Sequence, residues 1–145
     1  MASPKMIFVN LPVSNLARAT AFYEAIGATK NPQFSDDTAS GMVISETIHV
    51  MLLTHDKFRQ FTPKAIADAR TTSEVLICLS AESREAVDGY VTRAKSAGGT
   101  ADPSPQQDYG FMYGRSFEDL DGHIWEVMWI DVEAAMKAQS APANA

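Results

Sequence analysis

Phe117-Glu118-Asp119-Leu120-Asp121-Gly122-His123-Ile124-Trp125-Glu126-Val127 reads as the bend of a β-hairpin. Asp119-Leu120-Asp121-Gly122 holds the residues that turns favour, and β-prone residues lie on either side. Working outward, Phe111–Glu118 and His123–Asp131 are the two arms. An earlier pair, Gly41–Ser45 and Ile48–Thr54, forms a second hairpin that turns through Ser45-Glu46-Thr47. The same series of elements precedes each hairpin. Met6–Val13 and Glu74–Leu79 read as strands, and Val9-Asn10-Leu11 lies over Ile77-Cys78-Leu79 at an offset of 77 − 9 = 68. A helix follows each strand. The first is capped by Ser14 or Asn15, with Leu16, Ala19, Phe22, Tyr23 and Ile26 on one face. The second spans Ser80–Ala97, with Val87, Tyr90, Val91 and Ala94 on one face. Gly27 and Gly98-Gly99 end these helices, and proline-bearing stretches lead on: Asn31–Phe34, read as a short strand, and Ala101–Gln106. Asp56–Phe61 reads as a helical turn and Val132–Gln139 as a closing helix.

Strand–helix–three strands, twice over, predicts an α+β fold in a single domain. Module 1 covers about residues 5–61, a linker 62–72, module 2 about 73–131, and a C-terminal helix and tail 132–145. The tail has nothing large to bury and is expected to fray.

The chain has 145 residues, enough to bury a core without disulfide or metal. Twelve Lys and Arg against eighteen Asp and Glu leave a net charge of −6, which argues against nucleic acid and anionic membranes as partners. Cys78 is the only cysteine, so an internal disulfide is excluded. The apolar run Met6–Val9 is too short for a signal peptide, and no window approaches the ~18 apolar residues of a membrane span. A cytoplasmic location is expected.

Val9-Asn10-Leu11-Pro12-Val13-Ser14-Asn15-Leu16, with Ala21-Phe22-Tyr23 and Gly27, resembles the opening of the glyoxalase/bleomycin-resistance/extradiol-dioxygenase (vicinal oxygen chelate) superfamily, and Phe117–Val127 resembles its closing strand motif. The likeness spans roughly residues 5–131 and extends to lactoylglutathione lyase-like proteins. It implies two βαβββ modules curled into an open eight-stranded cup with flanking helices and the site inside. Members are often homodimers, and some build each cup from modules of both chains. The family hosts isomerases, dioxygenases and metal-free drug binders, so fold alone does not choose a reaction.

Metal-using relatives place four ligands on the first and last strands of each half. Those places fall here on Phe8, Met51, Leu76 and Glu126. Only Glu126 offers an oxygen donor, so no metal and no other cofactor is expected. What remains is a cup for a small-molecule ligand, lined by Phe8, Asn10, Met51, Leu76 and Met128, together with Tyr113 and Arg115 if that parity of their strand faces inward. His49 lies two residues before Met51 and shares its face. With Glu126 across the cavity it would form a pair able to move a proton next to a carbonyl, as a lyase or isomerase requires. Each also has a simpler reading: Glu126 as the ion-pair partner of Arg115, and His49 as a satisfied strand histidine. Cys78, over Asn10 in the repeat, reads as a small hydrophobe.

Overall fold

The computed structural model describes residues 3–140. In module 1, β1 (Ile7–Val13) leads to α1 (Leu16–Ala25), whose N-terminus is capped by Asn15, its side chain accepting from the Arg18 N–H at 3.0 Å. Gly27, at φ +114°, takes the left-handed conformation that stops the helix. Then come β2 (Thr29–Asn31), β3 (Ala39–Val43) and β4 (Ile48–Thr54), giving a sheet in the order β1-β4-β3-β2 with β1 parallel to β4. A short helix α2 (His55–Arg59) closes the module, and residues 60–76 run to the second without regular structure. There β5 (Ile77–Ser80), α3 (Arg84–Ser96), β6 (Thr100–Ala101), β7 (Gln107–Asp108), β8 (Met112–Glu118) and β9 (Ile124–Ile130) repeat the plan in the order β5-β9-β8-β6, with β7 also on β8. The chain ends in α4 (Val132–Ser140). Among the described residues, no helix is long and apolar enough to cross a membrane.

The α+β class and the doubled βαβββ plan are those expected. The two sheets, of four and five strands, are not joined to each other and do not close into a barrel. Several boundaries differ from expectation. Of the expected strand Asn31–Phe34 only Asn31 is in one, as the last residue of β2: Pro32 has no N–H to offer a ladder, and Pro32–Phe34 is a 3-10 turn capped by the Asn31 side chain. Glu74–Leu76 precedes β5, which begins at Ile77. The second helix starts at Arg84 because Ser83 caps it, accepting from the Ala86 N–H at 3.0 Å. The part of the expected frayed tail at 141–145 lies outside the described residues.

Strand alternation decides what is buried. Leu11 and Val13 of β1, Val50 and Leu52 of β4, and Met42 of β3 point to α1. Leu79, Phe117, Trp125 and Val127 point the same way from the second sheet, toward Val87 and Ala94 of α3. These residues form one core. Helix α1 reaches across it, with the Phe22 and Phe117 rings 6.2 Å apart and the Tyr23 and Trp125 rings 6.1 Å apart. The modules therefore meet through their helix-bearing faces, and the other face of each sheet looks away from that shared core.

Polar groups within the core join the modules as well. Tyr23 Oη donates to Asp119 Oδ2 at 2.6 Å and accepts from Trp125 Nε1–H at 3.0 Å. Asp119 Oδ1 accepts from the Asp121 and His123 amides at 3.0 and 2.9 Å. Asp121 accepts from the Ser14 N–H at 2.9 Å, and the His123 ring lies 2.8 Å from the Pro12 carbonyl oxygen. Burial holds the Tyr23 hydroxyl well above its usual pKa, reinforced by the nearby Asp119 charge. Burial also raises the Asp119 carboxyl, against the opposing pull of His123 and of the hydrogen bonds it accepts.

Tyr23→Phe should destabilise the fold by about 1–3 kcal/mol in urea unfolding, because it leaves Trp125 Nε1–H and Asp119 Oδ2 without their buried partner. Gly122→Ala should cost more than Gly27→Ala in thermal unfolding. Both positions have positive φ, but a Cβ on Gly122 would sit 2.8 Å from the Arg70 backbone nitrogen, whereas one on Gly27 meets nothing within 4 Å.

Candidate functional site

The outward faces carry the side chains that the alternation leaves out of the core. On the first sheet, Phe8 pairs with His49 and Asn10 with Met51, all four on one face. The Phe8 and His49 rings stack, centroids 4.8 Å apart and planes 17° apart. Phe8 is nevertheless 54% exposed. One ring nitrogen of His49 lies 3.3 Å from the Glu46 carbonyl oxygen, which makes His49 a partly satisfied strand histidine.

On the second sheet, Cys78 lies beside Glu126 and Ser80 beside Met128, while Ser116 and Gly114 of β8 stand opposite Glu126 and Met128. A Cβ on Gly114 would be 3.6 Å from Met112 Cε, so the Met112 methyl lies over the bare glycine. Of these residues all but Ser80 line a cavity of about 90 Å³, together with Ser104, Pro105, Gln107, Arg115 and Val127. Leu76 precedes β5 and is 53% exposed. The surroundings push the Cys78 thiol pKa up, through burial first and the Glu126 charge second.

Tyr113 and Arg115 take the opposite parity. Arg115 stands opposite Val127, not Glu126, and its side chain goes to the α3 side of the sheet. Its Nε and Nη2 donate to Asp102 at 3.0 and 2.6 Å, and its Nη1 donates to Asp88 at 2.9 Å. Tyr113 Oη donates to Asp88 at 2.6 Å. Arg84 pairs with Asp108 and stacks over the Tyr113 ring at 4.5 Å. The Tyr113 hydrogen bond, then that of Arg115, lowers the Asp88 carboxyl; Arg115 chiefly lowers that of Asp102. The ion pair of Glu126 with Arg115 is thus corrected, since side chains of neighbouring parity leave a sheet on opposite sides.

Within one chain the structure brings Glu126 together with Cys78, Met112 and Met128. It does not bring His49 to Glu126, because their faces lie on opposite sides of the common core. The four places that hold metal in relatives do not fit a divalent ion: a benzyl ring at Phe8, a thioether at Met51 and an isobutyl group at Leu76 leave one carboxylate. Among the described residues, no group of three or more His, Cys, Asp or Glu converges elsewhere. The wall Ser104–Gln107 has no signal in the sequence, where Pro103 and Pro105 indicate only an irregular segment.

Two modules of this plan, each with a helix on one face and a second face turned away from the shared core, define the paired-βαβββ class of α+β proteins. A profile of the Glyoxalase/Bleomycin resistance protein/Dioxygenase superfamily matches residues 5–127, and the chain belongs to that superfamily. A hypothetical protein, SA1046, from S. aureus is similar in structure at 30% identity and a TM-score of 0.71, covering 88% of this chain and 95% of that one. A glyoxalase/bleomycin resistance protein/dioxygenase family enzyme from Burkholderia phytofirmans PsJN shares the fold at 18% identity and TM-score 0.70, covering 88% and 100%. The fosfomycin resistance protein FosX from Listeria monocytogenes shares it at 22% identity and TM-score 0.64, covering 92% and 98%. No curated protein matches the sequence.

Glu126→Gln should speed modification of Cys78 by a thiol-disulfide reagent at mildly alkaline pH, since it removes a charge that opposes the thiolate. The clasp of Arg115 should loosen in acid. The folded-state pKa values of Asp88 and Asp102 lie below the ordinary 3.8, so the stabilisation they give is present above that value and lost as pH falls through the folded values. Hydrogen exchange should show the Asp102 amide, bonded to the Ser116 carbonyl oxygen at 2.8 Å, protected at about pH 5 and losing protection in acid well below 3.8. Arg115→Met should lower its protection at both pH values.

Proposed function

We propose that this chain is a metal-independent binder of a small organic molecule, acting as a homodimer in the cytoplasm. The observation that carries the reading is the cavity at Glu126, where Cys78, Met112 and Met128 stand on the sheet face away from the core and the segment with Ser104, Pro105 and Gln107 lies along its side. The same geometry supports the dimer. Strands β1 and β5 are each paired on one side only, and Ile7, Phe8 and Leu76 beside those edges are more than half exposed. The two open faces of one chain point apart, so a cup is completed when module 1 of one protomer meets module 2 of its partner. The stacked Phe8 and His49 rings then stand across the cup from Glu126. In a second reading, favoured by a carboxylate at an apolar cavity, Glu126 is the base of a lactoylglutathione lyase-like reaction and His49 its helper.

Sedimentation analysis should give twice the 15.8 kDa chain mass, and Phe8→Asp combined with Leu76→Asp should give the single mass. A wild-type monomer at micromolar concentration overturns the shared cup. Ligand binding found by thermal-shift screening should survive chelation, and a requirement for added divalent metal overturns the metal-free reading. Glu126→Gln separates the two functions: loss of kcat with binding retained assigns it as a base.

A further inference from the structure

We infer that the cavity beside Glu126 takes an organic cation, a protonated or quaternary amine carried on a flat apolar body. The inference rests on the small-molecule reading above and names the ligand class.

Charge is the first ground. No ion pair reaches Glu126 among the described residues. Its neighbours across the cavity are Cys78, Met112 and Met128, whose sulfur and hydrocarbon do not neutralise a carboxylate. The cation that borders the cavity, Arg115, is already held by Asp88 and Asp102, and nearby Arg84 is held by Asp108. The strand positions that share the outward faces with Phe8 and Glu126 carry no lysine or arginine, and Glu118, on the face of Glu126, adds a second acid. A ligand anion entering here would meet one carboxylate and no counter-charge. A ligand cation would supply the counter-charge that the carboxylate lacks.

The second ground is shape and polarisability. Thioethers and aromatic faces attract flat, positively charged π systems, and the Met112 side chain, its methyl folded over Gly114, presents such a thioether at the cavity. The cavity of about 90 Å³ holds little more than an ammonium and its substituents. The body of the ligand therefore lies over the open sheet, toward the stacked Phe8 and His49 that the partner protomer brings.

Fluorescence titration of the full chain in chelator, with three dyes, tests this. The probes are berberine (a flat quaternary ammonium), 8-anilinonaphthalene-1-sulfonate (a flat anion) and Nile red (neutral). Berberine should bind with micromolar Kd, at least about tenfold tighter than the sulfonate, and weaken with added salt. Glu126→Gln should weaken berberine by about tenfold or more and leave Nile red unchanged, while Glu24→Gln on the exposed surface of α1 should change neither. Circular dichroism of each variant establishes that it is folded. Sulfonate binding as tight as berberine, or berberine binding indifferent to Glu126→Gln, overturns the cation inference and leaves the small-molecule reading standing. Failure of all three dyes to bind overturns that reading and the inference with it.

Discussion

Two hydrogen bonds at one phenolic oxygen set the arrangement of the molecule. Tyr23 comes from the first module, Asp119 and Trp125 from the second, and all three sit where water does not reach. A donor and an acceptor buried together cannot be parted cheaply, since each then faces hydrocarbon alone. Apolar packing of Phe22 on Phe117 supplies area at this contact, but area tolerates sliding and rotation. The Trp–Tyr–Asp line does not. It fixes which helix face meets which sheet face, and through Asp121 and His123 it also holds the end of β1 against the β8–β9 turn.

Joining the modules back to back has a direct effect on the site. A sheet has two faces, and here the helix-bearing one is used up internally. The groups that alternation sends the other way, Phe8, Asn10, His49 and Met51 from one half and Cys78, Glu126 and Met128 from the other, are left facing solvent in a single protomer. That explains how a chain of this size can bury Trp125 and Tyr23 almost completely and still leave large apolar side chains near two strand edges exposed. The same division separates tasks. Buried Asp119 and Asp121 serve the architecture, while Glu126, on the reverse side of the strand that carries Trp125, has no ion-pair partner among the described residues.

Much of this was legible in the sequence. Period-two alternation through Trp125-Glu126-Val127-Met128 assigned Glu126 and Met128 to one side and the tryptophan to the other, and a helix cap and a glycine stop bounded α1 closely. Asp119 and Asp121 were recognised as turn residues, but their partners Tyr23 and Ser14 lie 96 and 107 residues away, and no local pattern encodes such a meeting. The parity of β8 was undecidable for a related reason. Met112-Tyr113-Gly114-Arg115-Ser116 alternates between two sets that could each face a core, and the choice is made by Asp88 on α3 and Asp102 in a loop. Whether the modules embrace one cup or turn their backs was likewise beyond local reading, because both arrangements use the same strands, helices and register.

The cavity wall at Ser104–Gln107 is fastened from behind: Arg115 and Arg84 grip Asp102 and Asp108 just beyond its two ends, from the side of the sheet away from Glu126. An exchange at Asp88, Asp102 or Arg84 can therefore reset the mouth of the cavity with Cys78, Glu126 and Met128 left in place. Descendants of such a chain can diverge in what they admit through changes at positions that a comparison of pocket linings would pass over as decoration.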